Sequence, residues 1–526
     1  MEEGSLVEYG ARRVIITITA VTCALLQIVD TTIVNIALPT MQGGLGASLS
    51  EITWVITAYA IANVVVMPMT SWLSQQFGRR NYFAGSIIIF TVCSLLCGNA
   101  TTITELIVFR FLQGIGGGAL LVTAQTIITE SYPVKKRAMA QTVYVLGVIV
   151  GPTLGPPLGG YIVDNYSWPF IFYINIPIGI IATMLTIRYI KSPRYAEKVS
   201  AKHVDWPGIG LLTIAVGLLQ FILEKGQEED WFSSSLISIS AAISFFGFFF
   251  FIWRELVYKY PVVELRVLRN VNLSVGSILS FVLGFGLFGS TFIIPLYTQT
   301  IMGWTAFQAG MLMIPSTVFT AIMMPFVGKM MERGVSFRLM ITSGMVIFFI
   351  YSLMAYKVLT PDTGGDAFFW ILVIRGVGLG LLSVPVTTMA LSTLHGPQIS
   401  QGAALSGMLR QLGGSFGVAL ITTYLTRDVQ FHRVDLISNI SLYNPAVQQR
   451  MELLAKNFQS KGMAWDAAQK AALQLEDNIV NVQATVLSYM DIFLWIGVMF
   501  LVCVPFVLIL VKKPGNKVQS PEVIHE

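Results

Sequence analysis

The chain has 526 residues, of which 54% are hydrophobic and only 12% are charged, and its mean hydropathy is +0.70. A soluble globular domain carries about 25% charged residues, so this composition excludes an ordinary soluble enzyme and predicts a polytopic membrane protein. The formal net charge of +5 does not indicate nucleic acid binding, because the basic residues concentrate in one set of loops between apolar segments.

Fourteen apolar segments are long enough to cross a bilayer, which takes about 20 residues in an α-helix. We therefore expect an all-α fold with both termini on one side. No cleavable signal peptide is expected, because the first apolar run is too long for a signal core and lacks a small-residue cleavage pattern. The predicted spans are 14–38, 51–73, 82–99, 103–128, 138–163, 168–190, 206–224, 235–253, 272–297, 306–330, 338–357, 368–392, 401–426 and 486–511.

The distribution of Lys and Arg predicts the orientation, because short cytoplasmic loops carry the excess of basic residues. The short loops opposite the amino terminus hold only Lys225 and Lys357. We expect both termini in the cytoplasm and a location in a bacterial inner membrane. The basic residues on the side of the termini are Arg12, Arg13, Arg79, Arg80, Lys135, Lys136, Arg137, Arg188, Lys191, Arg194, Lys198, Lys202, Arg254, Lys259, Arg266, Arg269, Lys329, Arg333, Arg338, Lys512, Lys513 and Lys517.

The order of the spans predicts two six-helix halves separated by two extra helices. We place the halves at 1–190 and 272–526 and the linker helices, with their flanking segments, at 191–271. Val108-Phe109-Arg110 recurs as Val373-Ile374-Arg375 at the matching place of the second half, each time before a glycine-rich stretch. Repeated halves with a binding site between them at mid-membrane are typical of transporters.

The segment 427–485 is the one large predicted feature outside the membrane. Its charged residues alternate with Ala, Leu and Met at roughly helical spacing. Two interpretations stay open: a solvated helical hairpin that extends the last span, or a docking surface for a partner on the outer side.

Asp30 lies well inside the first predicted span. An ionised carboxylate in hydrocarbon costs at least about 2.5–3.5 kcal/mol, so it should face a partner or water. At ~100° per residue, Gln27, Thr31 and Asn35 share one helix face with it. A polar residue that only joins helices is the alternative, but the stripe favours a functional carboxylate.

Arg110 in the fourth span is the predicted counterpart of Asp30. It shares a face with Gln113 and several glycines, and it lies at about the same depth as Asp30, because the two spans run in opposite directions. We expect Arg110 to lie close enough to Asp30 to influence its protonation. A static ion pair is the alternative.

The fifth span carries a regular glycine pattern. Gly147, Gly151, Gly155 and Gly159 are each four residues apart, which predicts a flat groove for another helix. Pro152, Pro156 and Pro157 are interleaved with them and should bend the helix. The pattern favours a hinge or sliding contact over simple packing.

These features together resemble the major facilitator superfamily and, within it, the fourteen-span drug:proton antiporter family of the EmrB and QacA type. The resemblance implies the major facilitator fold, with Asp30 as the proton-coupling acid, Arg110 as the residue that tunes it and the fifth-span motif as a mark of antiporters. The stretches that carry the resemblance are 30–39, 110–114, 151–160, 168–179 and 410–415.

The loop after the second span resembles the gating motif of the superfamily in Phe77-Gly78-Arg79-Arg80. Ser71 and Gln75 stand where the wider superfamily often has Gly and Asp, so this chain lacks the Asp on which the charge relay of that motif is built. Arg79 and Arg80 can still pair with helix ends or acidic groups across the cytoplasmic face.

We therefore predict a proton-driven exporter of lipophilic, often cationic compounds that works by alternating access, with no cofactor, metal or enzymatic activity. A proton-coupled metabolite or lipid transporter of the same fold is the alternative. If the host has two membranes, the resemblance implies a periplasmic membrane-fusion adaptor and an outer-membrane channel. For Arg375 and Arg410, cavity lining and a role in holding the halves together stay open. The candidate cavity residues are Asn35, Trp54, Tyr59, Gln113, Tyr144, Tyr297 and Gln299.

Overall fold

The computed structural model describes residues 6–133, 136–193, 204–360, 363–438, 440 and 443–511, with the side chains of Leu49 and Ala306 excepted. Part of the basic segment 191–205 therefore lies outside the described residues. The same holds for a group of the basic residues on which the predicted orientation rests, namely Lys135, Arg194, Lys198, Lys202, Lys512, Lys513 and Lys517.

Throughout the described ranges the chain folds into α-helices joined by short connections. The helices are α1 (Gly10–Leu45), α2 (Leu49–Phe77), α3 (Arg79–Gly98), α4 (Ile103–Ser131), α5 (Arg137–Asn165), α6 (Phe170–Tyr173), α7 (Asn175–Tyr189), α8 (Trp206–Lys225), α9 (Ser235–Val257), α10 (Val271–Thr300), α11 (Ala306–Leu312), α12 (Ile314–Glu332), α13 (Phe337–Val358), α14 (Gly365–Leu391), α15 (Pro397–Ser438), α16 (Pro445–Ser460) and α17 (Trp465–Leu510).

Local signals explain where several helices begin. Ser48 accepts a hydrogen bond from the backbone N–H of Glu51, whose carboxylate accepts the N–H of Ser48, so α2 starts with a reciprocal capping box. Asp205 caps α8 by accepting the N–H of Gly208. The same carboxylate pairs with Arg254 of α9 at 2.8 Å, which joins the two linker helices to each other at the end where α8 begins.

The predicted all-α fold with about fourteen spans is confirmed. Within the described residues, thirteen helical segments are long and apolar enough to cross a membrane, and they match thirteen predicted spans. The remaining predicted span, 401–426, lies inside α15. This helix is long enough to cross but less apolar, because Arg410, Gln411 and several Gly and Ser residues occupy its middle.

Most of the segment 427–485, which the sequence places outside the membrane, is helical. α15 continues to Ser438, α16 follows, and α17 already begins at Trp465. At ~1.5 Å per residue the 46 residues of α17 extend about 70 Å, more than twice the ~30 Å of a bilayer core. The helices expected of the hairpin are therefore present, and a docking role for this segment stays a prediction.

The two halves repeat the same helix packing. In the first half α1 packs on α5, α4 packs on α2 and α3, and α3 packs on α7. In the second half α10 packs on α15, α14 packs on α12 and α13, and α13 packs on α17. The linker helix α8 packs on α9, on α2 of the first half and on α15 of the second.

The halves are joined unevenly along their length. We call the end at which α1 begins the basic end and the opposite end, which carries α16, the hairpin end. One apolar cluster spans both halves from the basic end and includes Ile127, Val327 and Leu394. Towards the hairpin end each half has its own apolar cluster, so the shared core ends partway along the bundle.

Candidate functional site

Asp30 and Arg110 form an ion pair in the interior of the first half. Nη1 of Arg110 lies 2.6 Å from Oδ2 of Asp30, and the two residues are 0% and 1% exposed. The predicted contact is therefore present in the structure, while the role of the pair in proton coupling stays a prediction. Breaking a buried pair from one side leaves an uncompensated charge, which typically costs about 3–5 kcal/mol.

Amide side chains complete the surroundings of the Asp30 carboxylate. The side-chain N–H groups of Gln113 and Asn175 donate to Oδ1 of Asp30 at 3.0 and 2.8 Å. Ser94 Oγ accepts from both amides, at 2.7 and 3.3 Å, and Gln113 Oε1 accepts from Nη1 of Arg110 at 2.6 Å. The carboxylate is thus held by α4 and α7, with α3 supporting the amides.

Aromatic rings and close helix packing fix the guanidinium of Arg110. It lies over the ring of Tyr59 at 4.2 Å and donates from Nε to the carbonyl oxygen of Val55. α4 can approach α2 this closely because it presents glycines: a β-carbon at Gly114 would lie 2.6 Å from the carbonyl oxygen of Tyr59. The glycine-rich face next to Arg110 therefore brings the aromatic ring onto the cation.

The four-residue glycine repeat of α5 faces α1, the helix that carries Asp30. A β-carbon at Gly147 would lie 2.7 Å from Val21, and one at Gly151 would lie 2.5 Å from Ile28. At Gly155 it would overlap Thr32. Gly159 faces Ile33, the residue of α1 that follows Thr32. The structure thus shows the close helix contact that the repeat predicts, and its role as a hinge stays a prediction.

The proline-bearing side of α5 faces the other half of the protein. A β-carbon at Gly310 of α11 would lie 3.0 Å from Pro156 and 2.9 Å from Pro157. The hydroxyls of Thr153 and Thr317 of α12 share a hydrogen bond. Pro152 is buried inside the same helix. α5 therefore touches the acid-bearing helix on one side and the second half on the other.

A cavity lies between the halves, next to the ion pair. Residues of α1, α2, α4 and α5 line it on one side, and residues of α10 and α15 line it on the other. Its volume is about 70 Å³, well below the about 300–1,000 Å³ of pockets that hold drug-sized ligands. A drug-sized cargo therefore requires the halves to move apart.

The cavity wall combines apolar side chains with unsatisfied polar groups. Both polar atoms of the Asn63 amide are buried and have no hydrogen-bond partner in the described part of the chain. The Tyr144 hydroxyl lies near Arg410, which is 9% exposed and also lines the cavity. Buried polar groups without partners favour a ligand that can pair with them.

The structure places only part of the predicted cavity residues in this wall. Tyr59 and Tyr144 line the cavity, whereas Gln113 belongs to the Asp30 network. Trp54 stacks on Phe221 of α8 at 5.7 Å between ring centroids, with Lys225 over its ring. The predicted residues that are not among those lining the cavity are Asn35, Trp54, Gln113, Tyr297 and Gln299.

Tyr297 and Gln299 bond locally in the second half. Tyr297 is fully buried and donates its hydroxyl to the carbonyl oxygen of Thr360 at 2.7 Å. Gln299 donates to the carbonyl oxygen of Pro295 on its own helix. Asn35 is exposed, towards the hairpin end of α1. The polar stripe of α1 thus divides between the ion-pair network with Asp30, the cavity wall with Gln27 and Thr31, and the surface with Asn35.

The two predicted gating arginines, both at the basic end, differ in burial and in their partners. Arg79 is 3% exposed and binds both carboxylate oxygens of Glu130 at the end of α4, at 2.5 and 3.1 Å. Arg80 is exposed, and its backbone N–H donates to Ser192. Without an Asp at position 75, the buried guanidinium therefore pairs with the neighbouring helix of its own half.

Sequence reasoning missed Ser94 and Asn175, because single polar residues in apolar spans are common and neither spacing indicated a shared carboxylate. Asn175 opens α7 directly after the short helix α6, and this interruption was the available signal. Sequence reasoning also did not connect Asp428, His432 and Asp491, which lie together near the hairpin end.

Comparisons with known proteins agree with this architecture. A family model described as Major Facilitator Superfamily matches residues 20–418. The chain belongs to the major facilitator superfamily. It is 32% identical over 493 residues to the multidrug export protein EmrB of Escherichia coli (strain K12), covering 94% of each chain. It is also 32% identical to the fatty acid resistance protein FarB of Neisseria gonorrhoeae, covering 95% of this chain and 96% of the relative.

A solved structure shows the same fold. The human organic anion transporter MFSD10 (TETRAN) matches with a TM-score of 0.55 at 13% identity, over 94% of this chain and all of the other. This member of the superfamily is therefore a multi-pass transporter of a bacterial inner membrane and not an enzyme, and its small-molecule cargo passes through the membrane.

Proposed function

We propose that this transporter is a proton-coupled multidrug exporter that works by alternating access and needs no cofactor. The observation that carries the proposal is the burial of Asp30 beside a cavity between the two halves, with Arg110 as its partner. The similarity to a protein named for multidrug export, over nearly the whole chain, supports the direction of transport.

The ion pair gives protonation of Asp30 a structural consequence. In its charged form Asp30 binds Arg110 of α4 and accepts the amide of Asn175 of α7. A proton on Asp30 removes the charge that attracts the guanidinium, so the contact between α1 and α4 weakens. One charge that moves across 100 mV supplies about 2.3 kcal/mol, enough to drive export against roughly a fiftyfold gradient of a neutral cargo.

The lining of the cavity indicates the chemistry of the cargo. Arg410 is the one ionised side chain among the described residues that line it, and no carboxylate lines it. Apolar groups such as Val148 and Phe288 surround this cation. The cavity thus suits a lipophilic compound with an acidic or hydrogen-bond-accepting group better than the cationic cargo expected from the sequence. A relative named for fatty acid resistance fits such a cargo.

Proton release from the purified protein on addition of candidate drugs tests the proposed coupling. We expect the wild-type protein to release protons on binding a transported drug and Asp30→Asn to release none, because the amide has no proton to exchange. Asp164→Asn is the control, since Asp164 is an exposed carboxylate on α5. Equal proton release from wild type and Asp30→Asn would exclude Asp30 as the coupling acid.

For the orientation, we propose that the basic end faces the cytoplasm and the hairpin end faces the periplasm. Arg12, Arg13 and Arg80 at the basic end support this assignment under the positive-inside rule. Labelling single cysteines in whole cells with a membrane-impermeant maleimide tests it, once the four native cysteines are replaced. We expect a single cysteine placed at Ser460 of α16 to be labelled and one placed at Arg80 to stay unlabelled. The reverse pattern would overturn the assignment.

We further propose that a periplasmic membrane-fusion adaptor docks on the hairpin of α16 and the adjoining part of α17. Leu453 and Leu473 are 61% and 64% exposed there, so each leaves apolar surface that a bound partner would remove from water. Adaptor recovery in a pull-down from the same host tests the proposal. Leu453→Asp with Leu473→Asp should reduce recovery, and unchanged recovery would remove the hairpin as the docking surface.

A further inference from the structure

Asp428, His432 and Asp491 meet between α15 and α17 at the hairpin end of the bundle. Asp428 and His432 are one turn apart on α15, and Asp491 lies on α17. Nε2 of His432 is 3.2 Å from Oδ2 of Asp428 and 2.9 Å from Oδ2 of Asp491. All three potential ligand atoms lie within 4.8 Å of one another.

The hydrogen bonds between these three side chains do not satisfy all of their polar atoms. A neutral imidazole offers a single N–H, and Nε2 already contacts Asp491. Oδ2 of Asp428 is buried and lies 3.2 Å from the same Nε2, so a single N–H cannot serve both carboxylates fully. A cation bound between the three atoms would bind both carboxylates together with the imidazole nitrogen.

The charges around the cluster favour a cation. With a neutral histidine, two carboxylates leave a local charge of −2. The neighbouring Arg433 is 2.8 Å from Asp477, and Arg427 lines the adjoining cavity next to Asp428. Within the described residues, no Lys or Arg forms an ion pair with Asp428 or Asp491; their ion pairs are both with His432.

The distances fit a small transition-metal ion. Zn²⁺ binds histidine nitrogen and carboxylate oxygen at about 2.0–2.2 Å, so tetrahedral ligands lie about 3.3 Å apart. The 2.9 and 3.2 Å separations of the ligand atoms need only small side-chain movements to reach this value. Ca²⁺ and Mg²⁺ prefer oxygen ligands throughout, and a histidine nitrogen argues against them.

We propose that Asp428, His432 and Asp491 form a binding site for a divalent transition metal, best fitted by Zn²⁺, that joins α15 to α17 at the base of the helical hairpin. Three protein ligands leave one position for water or another ligand. Because α16 follows α15 and precedes α17, a metal at this point fixes the base from which the hairpin extends. A metal that binds only when α15 and α17 are held together would stabilise that arrangement of the two helices.

Metal titration of the purified full-length protein in detergent tests the site. After removal of metal with a chelator, we expect one equivalent of Zn²⁺ to bind in calorimetry, and Co²⁺ to give the visible absorption of a tetrahedral site. Millimolar Mg²⁺ or Ca²⁺ should not displace either ion. His432→Ala and Asp491→Asn should each weaken Zn²⁺ binding at least tenfold.

His395→Ala is the matched control, because His395 lies at the basic end between α14 and α15. It should bind Zn²⁺ as the wild type does. A second readout is hydrogen exchange in α16 and the start of α17, which Zn²⁺ should slow in the wild type and leave unchanged in His432→Ala. The proposal is wrong if the wild-type protein binds no Zn²⁺, or if correctly folded His432→Ala and Asp491→Asn bind it with unchanged affinity.

Discussion

The two halves of this transporter share one packing scheme but treat their buried arginines differently. In the first half Arg110 of α4 is paired with the carboxylate of Asp30 on α1. In the second half Arg375 occupies the matching place on α14, and within the described residues its donors reach hydroxyls and a carbonyl oxygen. These acceptors are Ser290 Oγ, Ser316 Oγ, Thr291 Oγ1 and the carbonyl oxygen of Leu287.

This difference indicates how the halves divide the work. A cation held by neutral dipoles has no partner whose charge changes when a proton binds, whereas Arg110 loses its counter-charge when Asp30 is protonated. The second half instead presents Arg410 to the cavity. We therefore expect the first half to respond to protons and the second half to contribute the charge that meets the cargo.

The largest expected effect comes from Arg110→Ala. Without the guanidinium, a proton on Asp30 no longer breaks an ion pair between α1 and α4. Transport driven by a pH gradient in proteoliposomes should then be abolished, while the protein still assembles. Full retained transport would show that the ion pair is not part of coupling.

The glycine contacts test whether both halves must shift. A β-carbon at Gly155 would overlap Thr32 of α1, and one at Gly413 would overlap the backbone of Phe281 of α10. We expect Gly155→Ala and Gly413→Ala each to reduce the transport rate at least tenfold. Gly85→Ala is the control, since a β-carbon there has open space. A normal rate in one variant would assign the moving contact to the other half.

Arg410→Gln tests the assignment of cargo recognition to the second half. Losing a charged hydrogen bond of about 1.5–3 kcal/mol should weaken export of an acidic amphiphile roughly tenfold or more. Export of a cationic dye should change little. Measured in the same cells, an equal loss for both compounds would mean that Arg410 supports the structure and does not select the cargo.

Arg375→Gln should have the smallest effect on transport. Its removal leaves several hydroxyls with fewer partners, so the thermal midpoint of unfolding should fall by a few degrees. The pH profile of transport should keep its shape, because the hydroxyls of Ser290 and Ser316 around Arg375 do not gain or lose a proton near neutral pH. A shifted profile would contradict the division between the halves.

The sequence supports the prediction of Asp30 and Arg110 because charged residues within apolar spans are rare and their depths can be compared. The same reasoning fails for Trp54 and Tyr297, since aromatic residues suit a lipid-facing or packed position as well as a cavity. The cluster around His432 depends on how α15 and α17 meet, 59 residues apart in sequence, and no local pattern encodes that meeting.

α5 is in contact with both the proton site and the opposite half. Its glycines touch α1 within one turn of Asp30, while Pro156 and Pro157 touch α11. A rigid compound that binds between α5 and α11 would therefore inhibit transport without competing for the cargo cavity. Inhibition at this helix contact would lower the maximal rate and leave the apparent affinity for drugs unchanged.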